Sequence, residues 1–165
     1  GVSTKSASRC FDELEYLNID VLGMKGKSRV INIPDDREQL WQQIENVLRN
    51  PVIRRFVLRE DMKLEKKAGI SALCEYSLLS DNVYPTYAVT KKELKDSGVK
   101  VEKQVSELEE IGCVVLELGY FIDFSGKGLQ DPLSVVLSLT GEEQEEERVD
   151  ISINEMLKEY IWSKD

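Results

Sequence analysis

The residues of this sequence with a chemistry to offer fall into three groups. The first is a run of short hydroxyls and cations, Ser3, Thr4, Lys5, Ser6, Ser8 and Arg9, followed by the cations Lys25, Lys27 and Arg29. A major groove admits one helix, whose N-terminal residues reach base edges, and small hydroxyls with a cation suit that contact. Cations on a hairpin tip suit phosphates or a minor groove. On pattern alone, an amphipathic helix and a hairpin with solvated lysines account for the same residues equally well.

The second group holds what an enzyme would need, and it is sparse. There is no histidine, which removes Ser–His and Cys–His nucleophiles, imidazole metal ligands and a histidine pH switch. Gly69-Ile-Ser71-Ala-Leu73 lacks the second glycine of a nucleophile elbow. Gly126-Lys127-Gly128 is too short for a phosphate loop and reads as a hairpin turn. Asp123 and Asp131 are two loop acids without further ligands, the pattern of caps rather than of a cation site. Cys10, Cys74 and Cys113 are too scattered for a zinc site or a disulfide framework. No catalytic residue, metal or cofactor is therefore expected.

The third group is aromatic. Tyr84, Tyr87, Tyr120 and Phe124 suit either the core or a pocket, with the core favoured. Trp41 and Trp162 suit a core or a subunit contact.

The elements that must position these groups follow from periodicity. Ser3 to Ile19 reads as a helix, with Ala7, Cys10, Phe11, Leu14 and Leu17 as its apolar stripe. Residues 21–33 read as two strands around a turn at Gly26, closed by Pro34. Asp35 or Asp36 caps a helix to about Arg49, with Leu40, Ile44, Val47 and Leu48 buried beside Trp41. Further on, Val52–Leu58 reads as a strand, Ile70–Leu79 as a helix and Tyr84–Thr90 as a strand. Lys91–Glu110 is ambiguous, with a strand suggested at Val99–Val105. Cys113–Phe124 is the strongest strand signal. Asp131-Pro132 starts a helix, Glu142–Glu147 is an acidic loop or first turn, and Val149–Trp162 is a final helix with Tyr160 and Ile161 on its buried face.

Charge divides the chain unevenly. Residues 1–33 hold five cations against four acids, a net +1, so with the chain at −9 residues 34–165 carry −10. DNA contact would be confined to one end. No apolar run approaches the roughly 18 residues of a membrane span, and no secretory segment is visible. A cytoplasmic protein of a bacterium is expected.

Ser3-Thr-Lys-Ser-Ala-Ser-Arg9, Phe11-Asp-Glu-Leu14-Glu and Gly26-Lys-Ser-Arg29 resemble the recognition helix and wing of MarR-type winged helix-turn-helix regulators. The remainder is similar to the effector half of uncharacterised bacterial regulators of that type, through Ala68-Gly-Ile-Ser-Ala-Leu73, Tyr87-Ala-Val89, Asp131-Pro-Leu-Ser134 and Glu147-Arg-Val149. It is more weakly similar to abortive-infection antitoxins. The resemblance implies an α+β chain, with a partial winged helix at 1–33 and an α/β effector or interaction domain at 34–165. A complete winged helix has further helices ahead of the recognition helix, so a segment upstream of Gly1 is expected.

The function implied is a DNA-binding transcriptional regulator acting as a homodimer on double-stranded DNA. Its C-terminal domain would sense a small-molecule effector or mediate assembly, with no membrane contact. The alternative is an antitoxin-like protein that binds a partner protein. The expected DNA-binding residues are Ser3, Thr4, Lys5, Ser6, Ser8, Arg9, Lys25, Lys27 and Arg29. The last helix, with Tyr160, Ile161 and Trp162 near its end, is a candidate dimer interface.

Overall fold

A computed structural model describes residues 3–80, 82–97, 110–120, 122, 124, 126 and 128–163. The chain mixes helix and strand, as an α+β protein does, and forms two compact units, Gly1–Leu48 and Arg49–Asp165.

In the first unit, helix α1 spans Thr4–Tyr16. Ser3 caps it, its hydroxyl accepting from the Ser6 amide at 3.1 Å. At the other end Asn18 takes a left-handed conformation, φ 54°. The Ile19 amide then donates to Leu14 O and the Asn18 amide to Glu15 O, which satisfies two terminal carbonyls. Strands β1 (Leu22–Lys25) and β2 (Ser28–Ile31) pair antiparallel, with Lys25 opposite Ser28. Helix α2 spans Arg37–Ile44, capped by Asp36, and continues as a 3-10 turn at Glu45–Val47. Val47 and Leu48, expected to be buried, are exposed. Among the described residues Ile19, Val21 and Trp41 are the buried apolar side chains of this unit, which runs on through α2 beyond the hairpin's end at Ile31.

The second unit is built on strands β3 (Val52–Leu58), β4 (Thr86–Thr90) and β5 (Cys113–Leu118). They lie in the order β3-β5-β4, with β3 antiparallel and β4 parallel to the central β5. Every residue of β5 is buried, as a strand covered on both faces requires. Val114, Leu116 and Leu118 pack with Ala68, Ala88 and Ile122; Cys113 and Val115 pack on the other face with Leu58, Tyr87 and Val89. The strand stops at Leu118, short of the expected Phe124. Val52 of β3 and Thr90 of β4 both pair with Leu118, and the register ends there, with the Gly119 amide donating to Pro51 O just beyond it.

Helices α3 (Gly69–Tyr76), α4 (Lys91–Asp96), α5 (Pro132–Ser138), α6 (Gly141–Glu145) and α7 (Glu147–Leu157) complete the unit. Helix α3 packs against α5 and α7. Helix α4 lies in the stretch whose charge left the sequence ambiguous, and Thr90 and Glu93 start it with reciprocal capping bonds. The strand expected at Val99–Val105 lies outside the described residues. Helix α7 ends in a π-helical turn at Lys158–Trp162, where the Ser163 amide reaches back to Lys158 O. That wider turn breaks the 3.6-residue register. Val149, Ile153, Met156 and Leu157 are buried, but Tyr160, expected among them, is 49% exposed. Among the described residues no helix is long and apolar enough to cross a membrane.

Candidate nucleic-acid interface

The expected contact residues all lie on α1 and the hairpin that follows it. Ser3, Thr4, Lys5, Ser6, Ser8 and Arg9 are exposed on the first two turns of α1. Lys5 and Arg9 are four residues apart and so share one helical face. The Ser3 and Ser6 hydroxyls bond one another at 2.9 Å, in addition to the capping bond. The acids Asp12, Glu13 and Glu15 are confined to the helix's C-terminal half, so the helix carries its cations in its N-terminal half.

Lys25-Gly26-Lys27-Ser28 makes a two-residue hairpin turn. Gly26 has φ 63° and Lys27 does not lie at positive φ, the pattern of a turn with glycine in the first central position. Lys25 and Lys27 flank this glycine and are exposed. Lys5, Arg9, Lys25 and Lys27 make no ion pair among the described residues.

Arg29 behaves differently from the other cations. It lies opposite Met24 on β2, on the same hairpin face as the Leu22–Ile31 pair. Its guanidinium donates to Asp12 Oδ1 at 2.9 Å and to Ser8 Oγ at 3.0 Å, and sits 4.9 Å from the centre of the Phe11 ring. These contacts bind the hairpin to the middle of α1. Arg29 thus serves first as a brace fixing the angle between helix and hairpin, and Ser8 is partly drawn into it. Tyr16, two turns beyond Arg9, is 90% exposed, a surface aromatic the sequence pattern did not single out. No side chain of α1 is buried; Phe11 and Leu14 are half-buried and Leu17 is exposed.

The second unit holds its polar groups differently. Gln130 is fully buried at the meeting of α3 and α5. Its Oε1 accepts from the Gly69 amide, its Nε2 donates to Ser138 Oγ at 2.7 Å and to Ser134 O, and its carbonyl accepts from Tyr76 OH. Ser71 is buried, and its hydroxyl accepts from the Thr86 amide at 2.8 Å, a bond that ties α3 to β4. Tyr87 belongs to the core and donates to Asp61; Tyr84 and Phe124 pack against the opposite sheet face; Tyr120 donates to Arg49 O. The aromatics weighed as a pocket lining are thus spread over both faces. A small cavity of about 10 Å³ beside Leu58, Val89 and Leu94 has room for about one water, and none of these four aromatics lines it.

One buried acid escaped sequence reasoning. Glu117 is fully buried on β5, opposite Arg54 of β3. Arg54 Nε donates to Glu117 Oε2 at 2.6 Å, while Oε1 has no hydrogen-bond partner. The signal was an acid inside the apolar run Cys113–Leu118, since a buried carboxylate must find a cation. On the same face burial pushes the Cys113 thiol above its usual pKa, with Asp61 adding to the shift and the Met62 backbone opposing it. Among the described residues no group of three or more acids and cysteines is placed to hold a metal ion.

The geometry defines an α+β protein with a helix–hairpin tied together through Arg29 and, in the second unit, a three-stranded sheet. Comparison with family models, with curated proteins and with solved structures finds no match for the chain.

Proposed function

We propose that the protein is a DNA-binding transcriptional regulator of the bacterial cytoplasm, with α1 as the reading helix and the β1–β2 hairpin as the wing of a MarR-type winged helix. The observation that carries this reading is the Arg29 brace. It holds the hairpin against α1 while Lys5, Arg9, Lys25 and Lys27 stay exposed. A reading helix and a wing must keep a fixed angle to meet the groove and the flanking backbone together. The half-buried stripe of Phe11 and Leu14 fits the face that preceding helices cover in a winged helix. The acidic second unit would couple an effector or a partner to DNA affinity, through unequal affinity for two conformations.

The test is selection of duplexes from a random pool by the full-length protein. A dimer should return two related half-sites about 10 base pairs apart, or a multiple of that. Enrichment without two-fold symmetry removes the dimer, and no enrichment removes the DNA reading.

A second reading, an interaction protein similar to abortive-infection antitoxins, draws support from the second unit, which lies in the acidic part of the chain and carries an open groove lined by exposed aromatic and apolar side chains.

A further inference from the structure

Helix α3 ends at Tyr76, and the residues after it face the end of α7 across a groove of about 820 Å³. Its apolar lining is Tyr76, Leu78, Tyr160 and Trp162. Leu78 is 97% exposed and Tyr160 is 49% exposed, so a soluble surface here carries apolar side chains with nothing over them among the described residues. The groove is nonetheless rigidly founded. Tyr76 and Tyr160 meet edge to face at 5.0 Å, and Tyr76 is anchored by its bond to Gln130. The π-helical turn at Lys158–Trp162 is what swings Tyr160 out to this surface, and such turns are frequent at functional sites.

The charge of the rim selects the occupant. Glu75, Glu155 and Glu159 line it, against Lys158 alone. Glu75 is already engaged by Lys67, whereas Glu155 and Glu159 make no ion pair among the described residues. A second copy of this chain, meeting the groove across a two-fold axis, would set these acids against themselves. We propose that the groove docks a cationic amphipathic helix of a partner protein. Its apolar face would lie on Leu78, Tyr160 and Trp162, with lysines or arginines beside Glu155 and Glu159. This follows the helix-in-groove mode, with aromatic anchors at the centre and charge at the rim. The inference deepens the reading of an interaction protein and is independent of whether α1 reads DNA.

The experiment is fluorescence anisotropy with a labelled synthetic helix of about 18 residues, leucines on one face and lysines on the other, added to the full-length protein. Saturable binding is expected. Leu78→Asp, at a side chain too exposed to affect folding, should weaken it by about 10-fold. Glu155→Lys with Glu159→Lys should also weaken it by about 10-fold, whereas Glu142→Lys with Glu145→Lys on α6 should change it by less than about 2-fold. Equal weakening by both pairs would mean diffuse attraction to an acidic protein and would overturn the groove. So would absence of binding at about 1 mM peptide, or a dimer that Leu78→Asp dissociates. Saturable binding that ignores every groove variant also removes the groove while leaving an interaction protein in place.

Discussion

Arg29 makes a charge-assisted bond to Asp12, a bond to Ser8 and a ring contact with Phe11. Each is small at a surface, since exposed ion pairs contribute about 0–1 kcal/mol and exposed cation–ring contacts about 0.5–1 kcal/mol. Their joint effect is geometric, because all three pull one side chain to one place on α1. Arg29→Ala should cost roughly 1 kcal/mol and speed amide exchange at Asn32, which donates to Val21 O beside the hairpin. Unchanged exchange there would show that the hairpin needs no brace. Glu117 is a sharper case. Its carboxylate is fully buried, and its cation, Arg54, is 56% exposed. Arg54→Ala strands the charge and should cost about 2–4 kcal/mol, at or below the range for pairs buried on both sides. The double variant Arg54→Met with Glu117→Leu should recover most of that loss in urea unfolding, because an apolar pair needs no compensation. A double variant as unstable as the single one would mean that Glu117 does more than balance Arg54.

At the scale of elements, capping decides where helices begin. Thr90 and Glu93 exchange side-chain and backbone bonds at the start of α4, with Thr90 N donating to Glu93 Oε2 at 2.7 Å. Lys66 adds an ion pair at 2.5 Å. The Lys66 bond holds the Glu93 pKa down at about 2, against partial burial, which raises it, and with help from Thr90. A lowered carboxylate pKa stabilises the fold fully above the ordinary value of 4.5, and that stabilisation fades as pH falls towards about 2. The side chain is 44% exposed, so the effect is small. Glu93→Gln, which retains an acceptor for Thr90, should lower stability at neutral pH by less than about 1 kcal/mol. The gap between wild type and variant should narrow below pH 4.5 and vanish near pH 2. A gap independent of pH would assign the effect to the cap and not to the charge.

Across the whole molecule, local signals were legible and tertiary ones were not. The spacing of Ala7, Phe11 and Leu14, the glycine at residue 26 and the Asp131-Pro132 start all act within a few residues, and each element formed where they indicated. Helix α4 was hidden because Leu94 is the sole apolar residue in Lys91–Asp96, so periodicity had nothing to count. The end of β5 depended on where β3 begins and β4 stops, a fact of pairing that no window of residues contains. Glu117 could be read as an acid but not as a buried one, because its cation lies on another strand. The groove joins residues 75–78 to residues 155–163, and only the fold brings these together. Of the expected contact residues, the sequence placed the exposed cations on one helix–hairpin but gave no sign that Arg29 would be drawn across the surface to Asp12.

Under the proposed function, α1 reads bases while the hairpin holds the backbone. Titration of full-length Arg9→Ala and Lys27→Ala against the selected duplex and an unrelated one, over a range of salt, separates the two roles. Arg9→Ala should lose about 1–3 kcal/mol on the selected duplex and little on the other. Lys27→Ala should weaken both duplexes alike and reduce the salt slope by about one. Binding left unchanged by both substitutions would contradict the proposed function.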